Sequence, residues 1–156
     1  MRFTLKQRAM DALKILKDEK VLNKFLGSGN LNLNERIQLL SVKVQLSMNK
    51  FESIRGDSAN SGNSNTSRNN TALECTIQTI IDNRLELSNL YLIKSELELS
   101  FVELDLLEDF LNRQSTPNTN TLIKIIELKI NIETQRNRLN RVNQLHLKLN
   151  KIRGVG

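Results

Sequence analysis

Residues 72–112 run for some forty positions without a glycine or proline, and no feature of the chain constrains its fold more. Leu90, Ile93, Leu97, Phe101, Leu104, Leu107 and Leu111 step through this stretch by three or four. That spacing puts one side chain per turn on a single helical face. One uninterrupted helix here would be about 60 Å long, beyond the usual globular range and typical of a coiled coil. A second set of apolar residues, Leu85, Leu87, Leu92, Leu99, Val102 and Leu106, lies off that seam. A helix apolar over more than one stripe contacts more than one neighbour.

Three other stretches carry the same periodicity. Leu5, Ala9, Ala12, Leu13 and Leu16 mark a helix over 4–26, ended by Gly27, Ser28, Gly29 and Asn30. Ile37, Leu40, Val44, Phe51 and Ile54 mark a second over 33–54, with Asn32 as N-cap and Glu35 placed to answer it three residues on. Ile125, Leu128, Ile132, Leu139, Val142 and Leu149 mark a fourth over 122–152, with Gln135 and His146 at seam positions of the same register. Pro117 separates the third from the fourth, and Thr119 or Thr121 is placed to cap the restart.

Residues 56–71 read GDSANSGNSNTSRNNT, and Ala59 is the only apolar side chain among them. Such a segment buries too little surface to offset its ordering entropy, so a disordered linker is expected. The expected fold is all-α: a short antiparallel helical hairpin over 1–55, the linker over 56–71, and a long coiled-coil-like hairpin over 72–153. Aromatics are only 4% of the chain, which suits seams of Leu and Ile better than a thick core.

Charge is segregated along the chain. The overall balance is +6. Residues 1–70 carry net +6, residues 71–117 net −6, and residues 118–156 net +6. An acidic third stretch followed by a basic fourth predicts two helices that face each other with opposite charge. Exposed pairs add only about 0–1 kcal/mol each, so the pattern selects pairing and register.

The chemistry available is narrow. One cysteine, Cys75, and one histidine, His146, cannot form a conventional zinc site. Cys75 reads as a small buried hydrophobe and His146 as a packed or half-exposed seam residue. The neighbouring acids Glu96 and Glu98, and Glu108 and Asp109, read as a solvated helix face. No phosphate-cradling loop follows Gly27 and Gly29. No enzymatic activity and no cofactor are expected. No run of 18 apolar residues is present, so no transmembrane helix is expected. Arg2, Lys6 and Arg8 precede the first acid as in a mitochondrial presequence, but acids follow soon and serine is not enriched. An ordinary first helix and an intracellular setting, nuclear or cytoplasmic, are the reading taken.

Two functions remain. The off-seam residues Leu87, Leu92, Leu99, Val102 and Leu106 are candidates for a surface that binds helical protein partners, including a second copy of the chain. This makes the protein a scaffold-like subunit of a larger assembly. Alternatively, Arg136, Arg138, Arg141, Lys148, Lys151 and Arg153, in a tail without acids, are candidates for contacts to nucleic-acid phosphates or to an acidic partner. That tail holds no aromatic side chain for base stacking.

Overall fold

A computed structural model describes residues 19–27, 29, 31–60, 66–114 and 118–154. Among these residues the chain is all-helical, with six helices and no strand. They are α1 (Glu19–Leu26), α2 (Leu33–Asn60), α3 (Thr66–Ile93), α4 (Leu97–Asn112), α5 (Thr119–Gln135) and α6 (Leu139–Arg153). The chain divides into two compact units, Met1–Leu90 and Tyr91–Gly156, with the boundary inside α3.

In the first unit, α1 packs on α2. The start of α2 is the expected reciprocal cap. Asn32 Oδ1 accepts from the Glu35 N–H at 2.8 Å, and Glu35 Oε1 accepts from the Asn32 N–H at 3.5 Å. Arg36, one turn in, ties three helices together. Its Nε and Nη2 donate to Glu86 Oε1 on α3 at 3.0 and 2.6 Å, and its Nη1 donates to the Leu26 carbonyl at the end of α1 at 3.1 Å. Farther along α2, Ser47 and Lys50 share a cleft with Cys75, Thr76 and Thr79 of α3. Early α2 thus meets late α3 and later α2 meets earlier α3, so the two run antiparallel. Leu22, Ile37, Leu40, Val44, Phe51, Ile80, Ile81 and Leu87 are buried in this unit.

Several sequence expectations shift here. The helix expected over 4–26 is described from Glu19 on, and residues 1–18 lie outside the described residues. The segment expected as a disordered linker is helical at both ends. The backbone of α2 continues to Asn60 and that of α3 begins at Thr66, with 61–65 outside the described residues. Propagation adds one hydrogen bond per residue to a turn already formed, so flanking apolar helices extend into poor helix formers. Cys75 is exposed, not buried.

The forty-residue helix expected over 72–112 is two helices. At its break the Ser95 N–H donates to the Leu92 carbonyl at 3.0 Å and the Glu96 N–H to the Tyr91 carbonyl at 2.9 Å. Ser95 has φ 63°. The helix expected over 122–152 breaks in the same way. The Asn137 N–H donates to Thr134 at 3.1 Å, the Arg138 N–H to Glu133 at 3.0 Å, and Asn137 has φ 57°. Both breaks are Schellman ends closed by a left-handed residue, without the usual glycine. The break moves the register. Ile93 and Leu139, expected on the seams, are exposed, and so are Gln135 and His146.

In the second unit, α4 packs on α5 and α5 on α6. Arg153 pairs with Glu127, and Arg141 approaches Glu133, so α6 runs back along α5. Leu104, Leu107, Leu111, Ile125, Ile126, Ile132 and Leu149 are buried. The cap of α5 is Asn118, whose side chain accepts from the Thr121 N–H at 3.2 Å; Thr119 and Thr121 lie inside the helix. Pro117 lies outside the described residues.

Candidate functional site

The second unit carries all the candidate residues except Leu87, and the two sets differ in what they touch. Four of the six basic side chains approach acids of the same unit. Lys148 donates to Glu108 Oε2 of α4, and Arg153 Nη2 donates to Glu127 Oε1 of α5 at 2.6 Å. Arg136 and Arg141 lie 3.6 and 4.0 Å from the Glu133 carboxylate. Arg138 is half-buried at the cap position of α6, and Lys151 is exposed in its last turn. These two make no ion pair among the described residues. Of the four contacts, that of Lys148 joins the basic stretch to the acidic one, while Glu127 and Glu133 belong to the basic stretch itself.

At the centre lies a charge cluster that the sequence reading missed. Lys129 of α5, 3% exposed, donates to Glu108 Oε1 at 2.9 Å and also to Asp105. Its ammonium stands 4.9 Å from the centre of the Phe101 ring, a cation–π distance. Glu108, read from sequence as part of a solvated face, is buried. Burial opposes its ionisation, but hydrogen bonds from Lys148 and Lys129 and their charges hold its carboxyl below the usual carboxylate value. A signal was present. Glu108 lies four residues after Leu104 and three before Leu111, and Lys129 lies between Ile125 and Ile132 at helical spacing. Both occupy the apolar face.

Glu133 is fully buried, and neither carboxylate oxygen has a hydrogen-bond partner among the described residues. The guanidinium groups of Arg136 and Arg141 face it at ion-pair distance only. Its carbonyl accepts the bond from Arg138 that closes the break between α5 and α6, so the acid sits at the corner of the unit.

The apolar candidates separate as well. Leu87 is 1% exposed in the first unit and is a core residue, not part of a free surface. Leu92 is half-buried near the end of α3. Leu99, Val102 and Leu106 are 45%, 45% and 46% exposed. Spaced three and four apart, they line one face of α4. Exposed Glu98, Asp105 and Asp109 border that face on one side and Glu103 on the other. The opposite face of α4 buries Ser100, Leu104, Leu107 and Leu111. The helix is thus apolar on two faces.

Among the described residues, no three His, Cys, Asp or Glu side chains are grouped to hold a metal. No helix among the described residues is long and apolar enough to cross a membrane. The cleft of about 50 Å³ between α2 and α3 is far below the roughly 300 Å³ at which small-molecule sites begin. No protein-family model, curated protein or solved structure matches the chain.

Proposed function

We propose that this chain is a non-enzymatic helical subunit that assembles with other helical proteins through the outer face of α4. One observation carries the reading. Leu99, Val102 and Leu106 stay nearly half exposed on a helix whose other face is already buried. Single exposed leucines are common, but three in one row on an amphipathic helix form a patch of the kind that partners cover. The i, i+3, i+7 spacing is that of helix-in-groove and helix–helix recognition. The coiled-coil-like character belongs to the same reading, supported by apolar steps of three and four along α4 and α5. Buried Glu108 and Lys129 lie between packed helices and neutralise one another, which favours structural over catalytic use of this pair.

The competing reading is phosphate binding by the basic tail. Intramolecular pairing of Arg153 and Lys148, and the placement of Arg136 and Arg141 around Glu133, weigh against it.

The test compares the wild-type chain with a Leu99→Ser, Val102→Ser, Leu106→Ser triple variant, both tagged and recovered under native conditions. The proposal expects helical content to be retained and the bound protein to be lost. An unchanged set of bound proteins contradicts it. In parallel, Arg138→Glu is expected to leave protein binding intact. Nucleic-acid binding that vanishes on Arg138→Glu with Lys151→Glu, with steep salt dependence, supports the competing reading instead.

A further inference from the structure

We infer that the outer face of α4 is covered by α6 of a second copy of this chain, so that an acidic helix of one copy meets a basic helix of the next. The inference rests on the reading of Leu99, Val102 and Leu106 as an interface and adds the identity of the occupant.

Charge complementarity is the first support. Helix α4 holds Glu98, Glu103, Asp105, Glu108 and Asp109 and no basic residue. Helix α6 holds Arg141, Lys148, Lys151 and Arg153 and no acid. Part of this charge is neutralised within the unit. Of what remains, Glu98 and Asp109 beside the α4 stripe are exposed, as is Lys151 on α6, and none of the three makes an ion pair among the described residues.

Apolar complementarity is the second. Leu139 and Leu147 on α6 are 68% and 66% exposed. They are eight residues apart, about 12 Å along a helix, while Leu99 and Leu106 are seven apart, about 10.5 Å. The exposed leucines of one helix therefore span nearly the same length as the stripe on the other. In the single chain both surfaces are open at once, so α6 does not cover its own α4.

Like-with-like pairing is disfavoured. Two α4 helices back to back would bring Glu98 and Asp109 of both copies together, and two α6 helices would do the same with lysines. Such like-charge juxtapositions are unfavourable. Where the two faces of a copy meet the same neighbour, the contact closes as a two-fold dimer; where they meet different neighbours, association continues into a ring or a linear series. The contact is small, so assembly grows with protein concentration and weakens in salt.

The experiment uses the full-length chain in light scattering and sedimentation over a range of concentration, at low and high salt. One variant carries Val102→Ser and Leu106→Ser, and the other Leu139→Ser and Leu147→Ser. Circular dichroism and thermal unfolding confirm that both keep the wild-type fold. The wild type is expected to form dimers or larger species as concentration rises. Each variant alone is expected to remain monomeric. A mixture of the two is expected to form a 1:1 pair and nothing larger, because only one intact α4 and one intact α6 remain to meet.

A wild-type chain monomeric at every concentration overturns the inference. So does assembly that survives the α6 substitutions, or a mixture that stays monomeric. If the wild type is monomeric while the α4 triple variant still loses a different bound protein, the interface reading stands and only the second copy is excluded.

Discussion

Lys129 on α5 donates to Glu108 on α4 at 2.9 Å, and neither side chain is more than 7% exposed. Lys148 of α6 reaches the other oxygen of the same carboxylate. One buried acid therefore links the three helices of the second unit.

Glu108 and Lys129 differ in what their loss leaves behind. Glu108→Ala leaves the buried Lys129 ammonium with only the largely exposed Asp105, and is expected to destabilise the unit by about 3 kcal/mol. Lys129→Met keeps the packing and leaves Glu108 paired with Lys148, so a loss of about 1 kcal/mol or less is expected. Urea denaturation of both variants checks the difference.

Acid should weaken the fold through the same residue. The folded-state value of the Glu108 carboxyl is depressed, so its contribution is complete above the unfolded value of about 4.3 and is lost as pH falls through the folded value. The urea midpoint of the wild type is expected to fall more steeply below about pH 4.5 than that of Glu108→Gln. Parallel curves contradict the assignment.

Glycine substitutions report directly on the two helix breaks. With Ser95 at φ 63° and Asn137 at φ 57°, Ser95→Gly and Asn137→Gly are expected to be neutral or to stabilise, by up to about 1 kcal/mol. Valine at either position is expected to destabilise by about 1–2 kcal/mol. In continuous helices the sign reverses, because glycine there costs about 1 kcal/mol. Thermal midpoints of the four variants decide it.

The two faces of α4 should respond oppositely to truncation. Leu104→Ala or Leu107→Ala is expected to cost about 2–5 kcal/mol, since both are fully buried. Leu99→Ser or Val102→Ser is expected to shift stability by no more than about 0.5 kcal/mol. Chemical denaturation at low protein concentration separates fold stability from association.

The all-helical class was legible in spacing alone, as was the Asn32–Glu35 cap. The opposite charge of the third and fourth stretches foretold that their residues meet. The helix breaks were not legible, because Lys94-Ser95-Glu96 and Arg136-Asn137-Arg138 contain neither glycine nor proline and the apolar periodicity resumes beyond each. Missing them misplaced Ile93, Leu139 and His146, whose register depends on a straight helix. Leu87 could not be told from Leu99 by periodicity, because both lie off the seam and only the packing of neighbours buries one of them. Glu108 and Lys129 were overlooked because an acid on an acidic helix, or a lysine on a basic one, carries no mark of burial unless its apolar neighbours at three and four positions are weighed.

Site-specific photo-crosslinking in cells tests the outer face of α4 most directly. A photoreactive residue is placed at Val102, with Asn131 on the exposed side of α5 as the control. Protein adducts at position 102, to this chain or another, with few or none at 131, are the predicted result. Equal labelling at both positions, or no protein adduct at 102, would contradict the role of α4 as an interface.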